Sequence, residues 1–367
     1  MALRIVPYTD RESAAARAFN QRMLAAHAAS DFLLPESPPP DGAGEDRAIR
    51  AVYYLAMEDD VVRGGLVLGD YPASLGGAAI TATVCIAPLS EGIVDPKYSM
   101  LGMQFVKFLK KHTQYGFATG MGDPSNPYPR LLKASGWTIR KVPFFFRVCR
   151  AGRFLSELGI LNSTPARRIV ARAASRSGLG ALGIWAVQDR AWLPPASGLS
   201  IKAVDDWGPW VDEIWDEVRG LCSFSIARDF RTLRDLYPPE QRLIRYSILR
   251  DGRPIGWAAA YDTAMHGSKF FGNMRVATIL DCIARPADVA GSVIAVSREL
   301  KRRGVDLIIS NQSHERWQGA FRMAGFLPGP SNYCLGLSPS VADSVRSGLG
   351  ERAIYLTRGD GDGRMHV

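Results

Sequence analysis

Two separate parts of the chain carry the same order of apolar and polar positions. Apolar runs at 51–56 and 243–249 each lead into a turn rich in Asp and Gly, then into a second apolar run. The turns read Met57-Glu-Asp-Asp-Val-Val-Arg-Gly64 and Arg250-Asp-Gly-Arg-Pro-Ile-Gly256, and both predict hairpins. Further on, a strand-like run ends at Pro96 in one part and at Pro286 in the other, with an acid five residues earlier, Glu91 and Asp281. A helical period follows at 100–111 and at 289–303, then a short apolar strand, a short helix and a glycine-aromatic pair, Gly136-Trp137 and Gly325-Phe326. Proline and final glycine are 40 residues apart in the first copy and 39 in the second. Self-similarity at a fixed offset sets architecture. Each copy therefore predicts strand, turn, strand, strand, helix, strand, helix, strand, and strands outnumbering helices predict a mixed α/β sheet.

The residues filling this pattern resemble a known family. They are Val94, Pro96 and Tyr98, Gly102 at the helix start, the run Asn126-Pro-Tyr-Pro-Arg-Leu-Leu-Lys-Ala-Ser-Gly-Trp137, Ala320-Phe-Arg-Met-Ala-Gly-Phe326, and the terminal Leu356-Thr-Arg-Gly-Asp-Gly-Asp362. Over residues 50–147, 240–338 and the tail, the chain is similar to the GNAT (GCN5-related) acyltransferases. The tandem resembles the paired-GNAT proteins of bacterial surface-polysaccharide gene sets. The resemblance implies an α/β fold of two tandem GNAT-like mixed-sheet domains joined by a basic helical linker. The expected divisions are 1–150 for a thioester-binding domain, 151–200 for the linker, 201–340 for a second domain with a degenerate phosphate loop, and 341–367 for the tail.

The implied reaction passes an acyl group from an acyl-CoA-type thioester to an amine, and the gene-set resemblance suggests an amino sugar of a glycan precursor as the acceptor. Such a fold cradles a pyrophosphate on a helix N-terminus, whose free N–H groups and dipole favour phosphate oxygens. Family members carry Arg/Gln-x-x-Gly-x-Gly/Ala at that loop. The aligned run here is Ser99-Met-Leu101-Gly102-Met103-Gln104, which keeps the middle glycine and loses the flanking pattern. With Val94 and Asn126 these are the expected cofactor contacts. The second copy has Arg285-Pro-Ala-Asp288-Val-Ala-Gly-Ser instead, and the carboxylate of Asp288 opposes a phosphate there. For proton transfer the candidates are Glu91, Asp281 and His314. The tyrosine that family members place four residues before the final glycine is replaced by Leu132 and Phe321, neither of which can donate a proton. That loss also suits a non-catalytic binding or scaffold protein. Aminoacyl transfer from a charged tRNA is a third reading.

Charge changes the picture between the halves. Residues 150–200 hold seven arginines against Glu157 and Asp189, in a chain of net charge +9. After Asn162-Ser-Thr-Pro165, Arg168, Arg172 and Arg176 recur at helical spacing beside Ile169, Val170 and Ala173. A helix of this kind can rest on an anionic membrane or pack its apolar stripe on a sheet. Arg and aromatic residues also alternate at 228–237, but no nucleic-acid module is visible and nucleic acid is not the expected partner. Five scattered cysteines without a C-x-x-C predict core thiols, no disulfide and no metal site. The first residues lack a signal-peptide core, which predicts a cytoplasmic protein peripheral at most to the inner membrane face.

Overall fold

A computed structural model describes residues 3–29, 32–39, 47–159, 179–188 and 198–360. In chain order the strands are β1 (Leu3–Pro7), β2 (Arg50–Glu58), β3 (Val61–Leu75), β4 (Ala78–Ser90), β5 (Gly116–Thr119), β6 (Thr138–Lys141), β7 (Phe144–Val148), β8 (Leu199–Val204) and β9 (Phe224–Ile226). They continue with β10 (Ile244–Arg250), β11 (Arg253–Ala264), β12 (Arg275–Ala284), β13 (Leu307–Asn311), β14 (Leu327–Gly329), β15 (Cys334–Leu337) and β16 (Ile354–Tyr355). One sheet runs β1-β2-β3-β4-β5-β15-β6, the other β8-β10-β11-β12-β13-β7-β14, so the two match position for position.

The match includes an exchange. β7, from the first half of the sequence, lies between β13 and β14, antiparallel to both. β15, from the second half, lies between β5 and β6, antiparallel to both. Where the two segments pass each other, Val142 N donates to Tyr333 O at 2.9 Å. A division at 150 or near 340 therefore separates stretches of sequence but not sheets. The cause is tertiary: β7 begins with three phenylalanines, and Phe145 stacks on Phe321 of the second half with ring centroids 5.9 Å apart.

Local chemistry explains the repeated elements. Asp59 (φ 54°) and Asp251 (φ 48°) take left-handed conformations in the two hairpin turns, where a short polar side chain is tolerated. Helix α1 (Ser13–Ala25) covers β3 with Ala16, Phe19 and Met23 buried. Helix α2 (Leu101–His112) buries Leu101, Phe105, Val106 and Leu109, one face of a 3.6-residue period. Helix α8 (Val289–Arg302), its counterpart, does the same with Val289, Val293, Val296 and Leu300; α3 (Pro127–Ala134) and α9 (Glu315–Met323) form a further pair. Both members of that last pair end in one motif. Trp137 N reaches Leu132 O at 3.1 Å across Gly136 (φ 90°), and Phe326 N reaches Phe321 O at 3.0 Å across Gly325 (φ 77°). A left-handed residue is needed at that point, and glycine supplies it without a Cβ penalty.

The main core spans both halves, joining Tyr71, Val84 and Phe117 to Trp215, Phe224, Trp257 and Phe321. Between the halves stand α4 (Ala151–Glu157), α5 (Leu179–Gln188), α6 (Trp210–Arg219) and α7 (Phe230–Leu236). Arg168, Arg172 and Arg176 lie outside the described residues. After β15, helix α10 (Pro339–Ser347) packs on the first sheet, where Ser338 N donates to Gly116 O at 2.9 Å, and the chain then passes through β16 to the junction of the halves. No helix among the described residues is long and apolar enough to cross a membrane.

Candidate functional site

In the first half, β4 and β5 pair in parallel only at Thr83–Gly116 and Val84–Phe117. β4 then continues to Ser90 through an irregular register with β3, in which Val67 faces Ile86 and Gly65 faces Leu89. The strand does not reach Val94. Ser90 Oγ accepts from Gly92 N at 3.0 Å and Asp95 Oδ1 accepts from Lys97 N at 2.9 Å, each capping a short 3-10 turn, 91–93 and 96–98. Val94 closes the first turn and packs on the apolar cluster beneath α1 that includes Phe19, Leu55, Val62 and Leu89.

These turns deliver the chain to α2, which has no side-chain cap at its N-terminus and carries Lys110, Lys111 and His112 in its last turn. Met103 N turns back to Met100 O at 3.1 Å, which leaves the N–H groups of Leu101 and Gly102 at the start of the helix, and the basic end is remote from them. Ser99 and Gln104 are exposed, Leu101 is core, and Gly102 and Met103 are half-buried. A Cβ added at Gly102 would meet only Leu131 Cδ2, at 3.1 Å. Asn126, exposed at the start of α3, donates from Nδ2 to Met121 O at 3.3 Å just past β5. The first half thus brings Ser99, Leu101, Gly102, Met103 and Gln104 to one helix start and sets Asn126 beyond the strand that faces it.

Glu91 is buried and turned toward the β2–β3 hairpin. Its Oε1 lies 2.8 Å from Arg22 Nε and its Oε2 lies 3.1 Å from Arg63 Nη1. Arg63 also pairs with Glu58 at 3.0 Å and stacks over the Tyr98 ring at 4.5 Å, while Tyr98 donates its hydroxyl to Glu58 at 2.8 Å. Both carboxylate oxygens of Glu91 are thus taken up by guanidinium groups, an arrangement that fixes the turn before α2.

The second half has the same splay, and the chain itself fills it. β12 and β13 pair over Val276–Thr278 and Leu307–Ile309. Beyond that, Ser310 Oγ donates to Ile279 O at 2.8 Å and Trp317 Nε1 to Cys282 O at 2.6 Å, with the Tyr355 hydroxyl 3.0 Å from the same carbonyl. Gln312 and Thr357 complete a bridge between β13 and the tail. At the start of α8, the carboxylate of Asp288 is ion-paired with Arg250.

Asp281 stands in this filled splay with no solvent exposure. Arg228 Nε donates to it at 2.7 Å, the Tyr237 hydroxyl at 3.1 Å, the Tyr355 hydroxyl at 2.6 Å and Cys282 N at 2.9 Å. Arg228, itself fully buried, grips Asp360 of the tail with Nη2 at 2.7 and 2.8 Å. Burial opposes its charge, but Asp281 and Asp360 outweigh burial and hold its pKa well above the usual value. Burial first, and then the neighbouring Asp281, push the Asp360 carboxyl up against the pull of Arg228. Asp281, a candidate base in the sequence, is buried with these four donors on it and is tied through Arg228 to Asp360 of the tail.

His314 likewise has both ring nitrogens engaged. Nδ1 accepts from Arg316 N at 3.1 Å, so Nε2 carries the proton and donates to Leu221 O at 3.2 Å. Burial lowers its pKa, and the neutral ring serves as the N-cap of α9. Leu132 and Phe321 are fully buried apolar side chains. Among the described residues no group of His, Cys, Asp and Glu could hold a metal ion. Sequence reasoning missed Arg228, Tyr237, Tyr355 and Asp360. Their traces are the Arg-aromatic run at 228–237 and the terminal run at 356–362 that holds Asp360, whose charges are readable but whose partners are not.

No protein-family model matches the sequence, and neither does any curated protein. Solved structures do match. A GCN5-related N-acetyltransferase from Anabaena variabilis aligns over 95% of this chain and 75% of its own, with TM-score 0.54 and 9% identity. A conserved Enterococcus faecalis protein of unknown function aligns over 94% and 75%, with TM-score 0.52 and 8% identity. Saccharomyces cerevisiae N-myristoyltransferase aligns over 91% and 82%, with TM-score 0.50 and 10% identity. At such identities the likeness speaks for the fold, and the fold is a tandem of two GNAT-like domains.

Proposed function

We propose that this protein is an acyltransferase that moves an acyl group from a CoA-type thioester to an amine, and that its first half does the work. One observation carries the reading. Both helix starts lack a side-chain cap, but the splay beside β13 is occupied by Ser310, Trp317 and Tyr355 and its helix starts from Asp288, ion-paired with Arg250, whereas α2 starts from Met100. In this reading the amides of Leu101 and Gly102 hold the pyrophosphate, Met103, Ser99 and Gln104 flank it, and Asn126 bonds the carrier or the acceptor. Nitrogen attacks the thioester carbonyl, the C–N bond forms and the C–S bond breaks; the proton released by the nitrogen passes to solvent, and the thiolate takes one back from solvent, because Leu132 stands where a donor would be. Glu91 is a positioning residue for the α2 start. An amino sugar of a surface-glycan precursor is the proposed acceptor, and the arginines 168, 172 and 176 hold the enzyme at an anionic membrane face.

Calorimetry with acetyl-CoA, longer acyl-CoAs and CoA tests the reading. Binding is expected in the parent and in Ala290→Glu, and its loss in Gly102→Glu, which sets bulk and negative charge at the helix start. Heats from none of the ligands, or equal heats from parent and Gly102→Glu, overturn it. The absence of a proton donor at Leu132 and Phe321 favours the competing reading, a non-catalytic thioester-binding protein. Binding without acyl transfer to any amine would select that one.

A further inference from the structure

Helix α5 is unusual in what it shows to solvent. Its sequence, Leu-Gly-Ala-Leu-Gly-Ile-Trp-Ala-Val-Gln, has no charged residue. It docks on the second sheet through its C-terminal end, where Gln188 is buried, accepts from Val148 N at 2.8 Å and donates to Val148 O at 3.0 Å. Ile184, one turn earlier, packs into the cluster of Val148, Phe146, Phe154 and Leu158. With that face committed, Leu182 (62% exposed), Trp185 (63%) and Val187 (57%) point outward. Beside α5 lies α4, and Gly159, just past α4, donates its N–H at 2.9 Å to Phe270 O, which brings Phe270 (61% exposed) to the same end of the molecule. Arg153 and Lys269 are exposed at this end, and Glu157 is turned inward to Asn273 N at 2.9 Å.

We infer that this end of the second half docks on an anionic lipid surface, with Leu182, Trp185, Val187 and Phe270 entering the interfacial layer and Arg153 and Lys269 meeting lipid headgroups. The inference extends the membrane-face reading given above and is carried by different residues. An apolar helix face without polar cover marks a binding surface. Trp favours the interface between headgroups and acyl chains, and basic side chains around an apolar face are attracted to anionic lipid. A second copy of the chain fits less well, because a two-fold contact would set the same basic rim against itself.

Co-sedimentation of the full chain with phosphatidylcholine vesicles, with and without phosphatidylglycerol, tests it. The parent is expected to bind only the mixed vesicles, with Leu182→Asp/Trp185→Asp binding about tenfold or more weakly and Trp185→Phe much as the parent. The substituted side chains are exposed, so circular dichroism and Tm should not change. Arg168→Gln/Arg172→Gln/Arg176→Gln runs in parallel: loss there with parent-like binding by the helix variant overturns the α5 inference and leaves the arginine reading standing. No binding by the parent overturns both. A parent dimer in light scattering that the helix variant converts to a monomer gives the surface to a second copy instead.

Discussion

Trp317 donates its indole N–H to the carbonyl of Cys282 at 2.6 Å, across the gap where β12 and β13 part. In a two-stranded splay built to receive an extended ligand, a strand carbonyl facing the gap is a docking point. Here an internal side chain satisfies it, and the Tyr355 ring stacks edge-on against Trp317 with centroids 4.9 Å apart. The two halves therefore share a fold, and in the second the tail of the chain closes the gap; at the first the tail touches the end of β5, where Thr119 Oγ1 donates to Asp360 O.

The buried cluster that holds the tail should be costly to break. Arg228→Met leaves Asp281 and Asp360 without their shared cation in a site with no solvent, and a loss of about 3–5 kcal/mol is expected. Urea unfolding of parent and variant measures it. A change under about 1 kcal/mol would mean that the two carboxyl groups are neutral or solvated.

Tyr355→Phe is the milder counterpart. It removes the hydroxyl that lies 2.6 Å from Asp281 Oδ1 and keeps the ring packing, so a loss of about 1–3 kcal/mol is expected with thioester affinity unchanged. Gain of a second thioester site by calorimetry would show that the filled splay is a displaceable plug and would argue against work by the first half alone.

Much of this fold was legible in sequence because its signals are local. The hairpin turns announce themselves through Asp59-Asp60 and Asp251-Gly252, the helices through their apolar period, and the paired helix ends through Gly136 and Gly325. Strand exchange was not legible, since an apolar pentamer such as Phe144–Val148 reads as a buried strand whichever sheet receives it. The site divides the same way. The helix start around Gly102 could be read from spacing, whereas Arg228 could not be told from a surface arginine: its partners Asp281 and Asp360 lie 53 and 132 residues away. His314 was visible as a helix-start residue, but the carbonyl of Leu221 that completes its cap comes from 93 residues earlier.

The exchange makes a prediction about cutting the chain. A protease site placed between residues 160 and 178 should yield two pieces that stay together through gel filtration, because each sheet holds a strand of the other piece. They should separate only in denaturant. Pieces that part in native buffer would mean that β7 and β15 do not remain in the sheets where they are found.

His314 gives a pH test. Burial lowers its folded-state pKa, so the unfolded chain takes up the proton first and acid favours unfolding. The stabilising contribution is full above the ordinary value of about 6.5 and is lost as pH falls through the lowered folded value. His314→Asn keeps a capping side chain and removes the titration. Its Tm should fall less than the parent's on acidification, with turnover unchanged. A large drop in turnover near neutral pH would return His314 to proton transfer.

Glu91 separates positioning from base catalysis. Gln at this position keeps the shape and loses the charge that Arg22 and Arg63 share at 2.8 and 3.1 Å, so the turn before α2 should loosen and thioester affinity should weaken by about tenfold or less. If the carboxylate only holds the turn, the pH dependence of kcat/KM follows the free fraction of the acceptor amine in parent and variant alike. If the carboxylate takes the amine's proton, Glu91→Gln abolishes the acidic limb belonging to the enzyme and lowers kcat with little effect on binding. Both parameters measured across pH with two amines of different pKa decide the matter: an acidic limb that moves with the amine and survives the substitution supports positioning, and one that stays fixed and vanishes with Glu91 makes it the base.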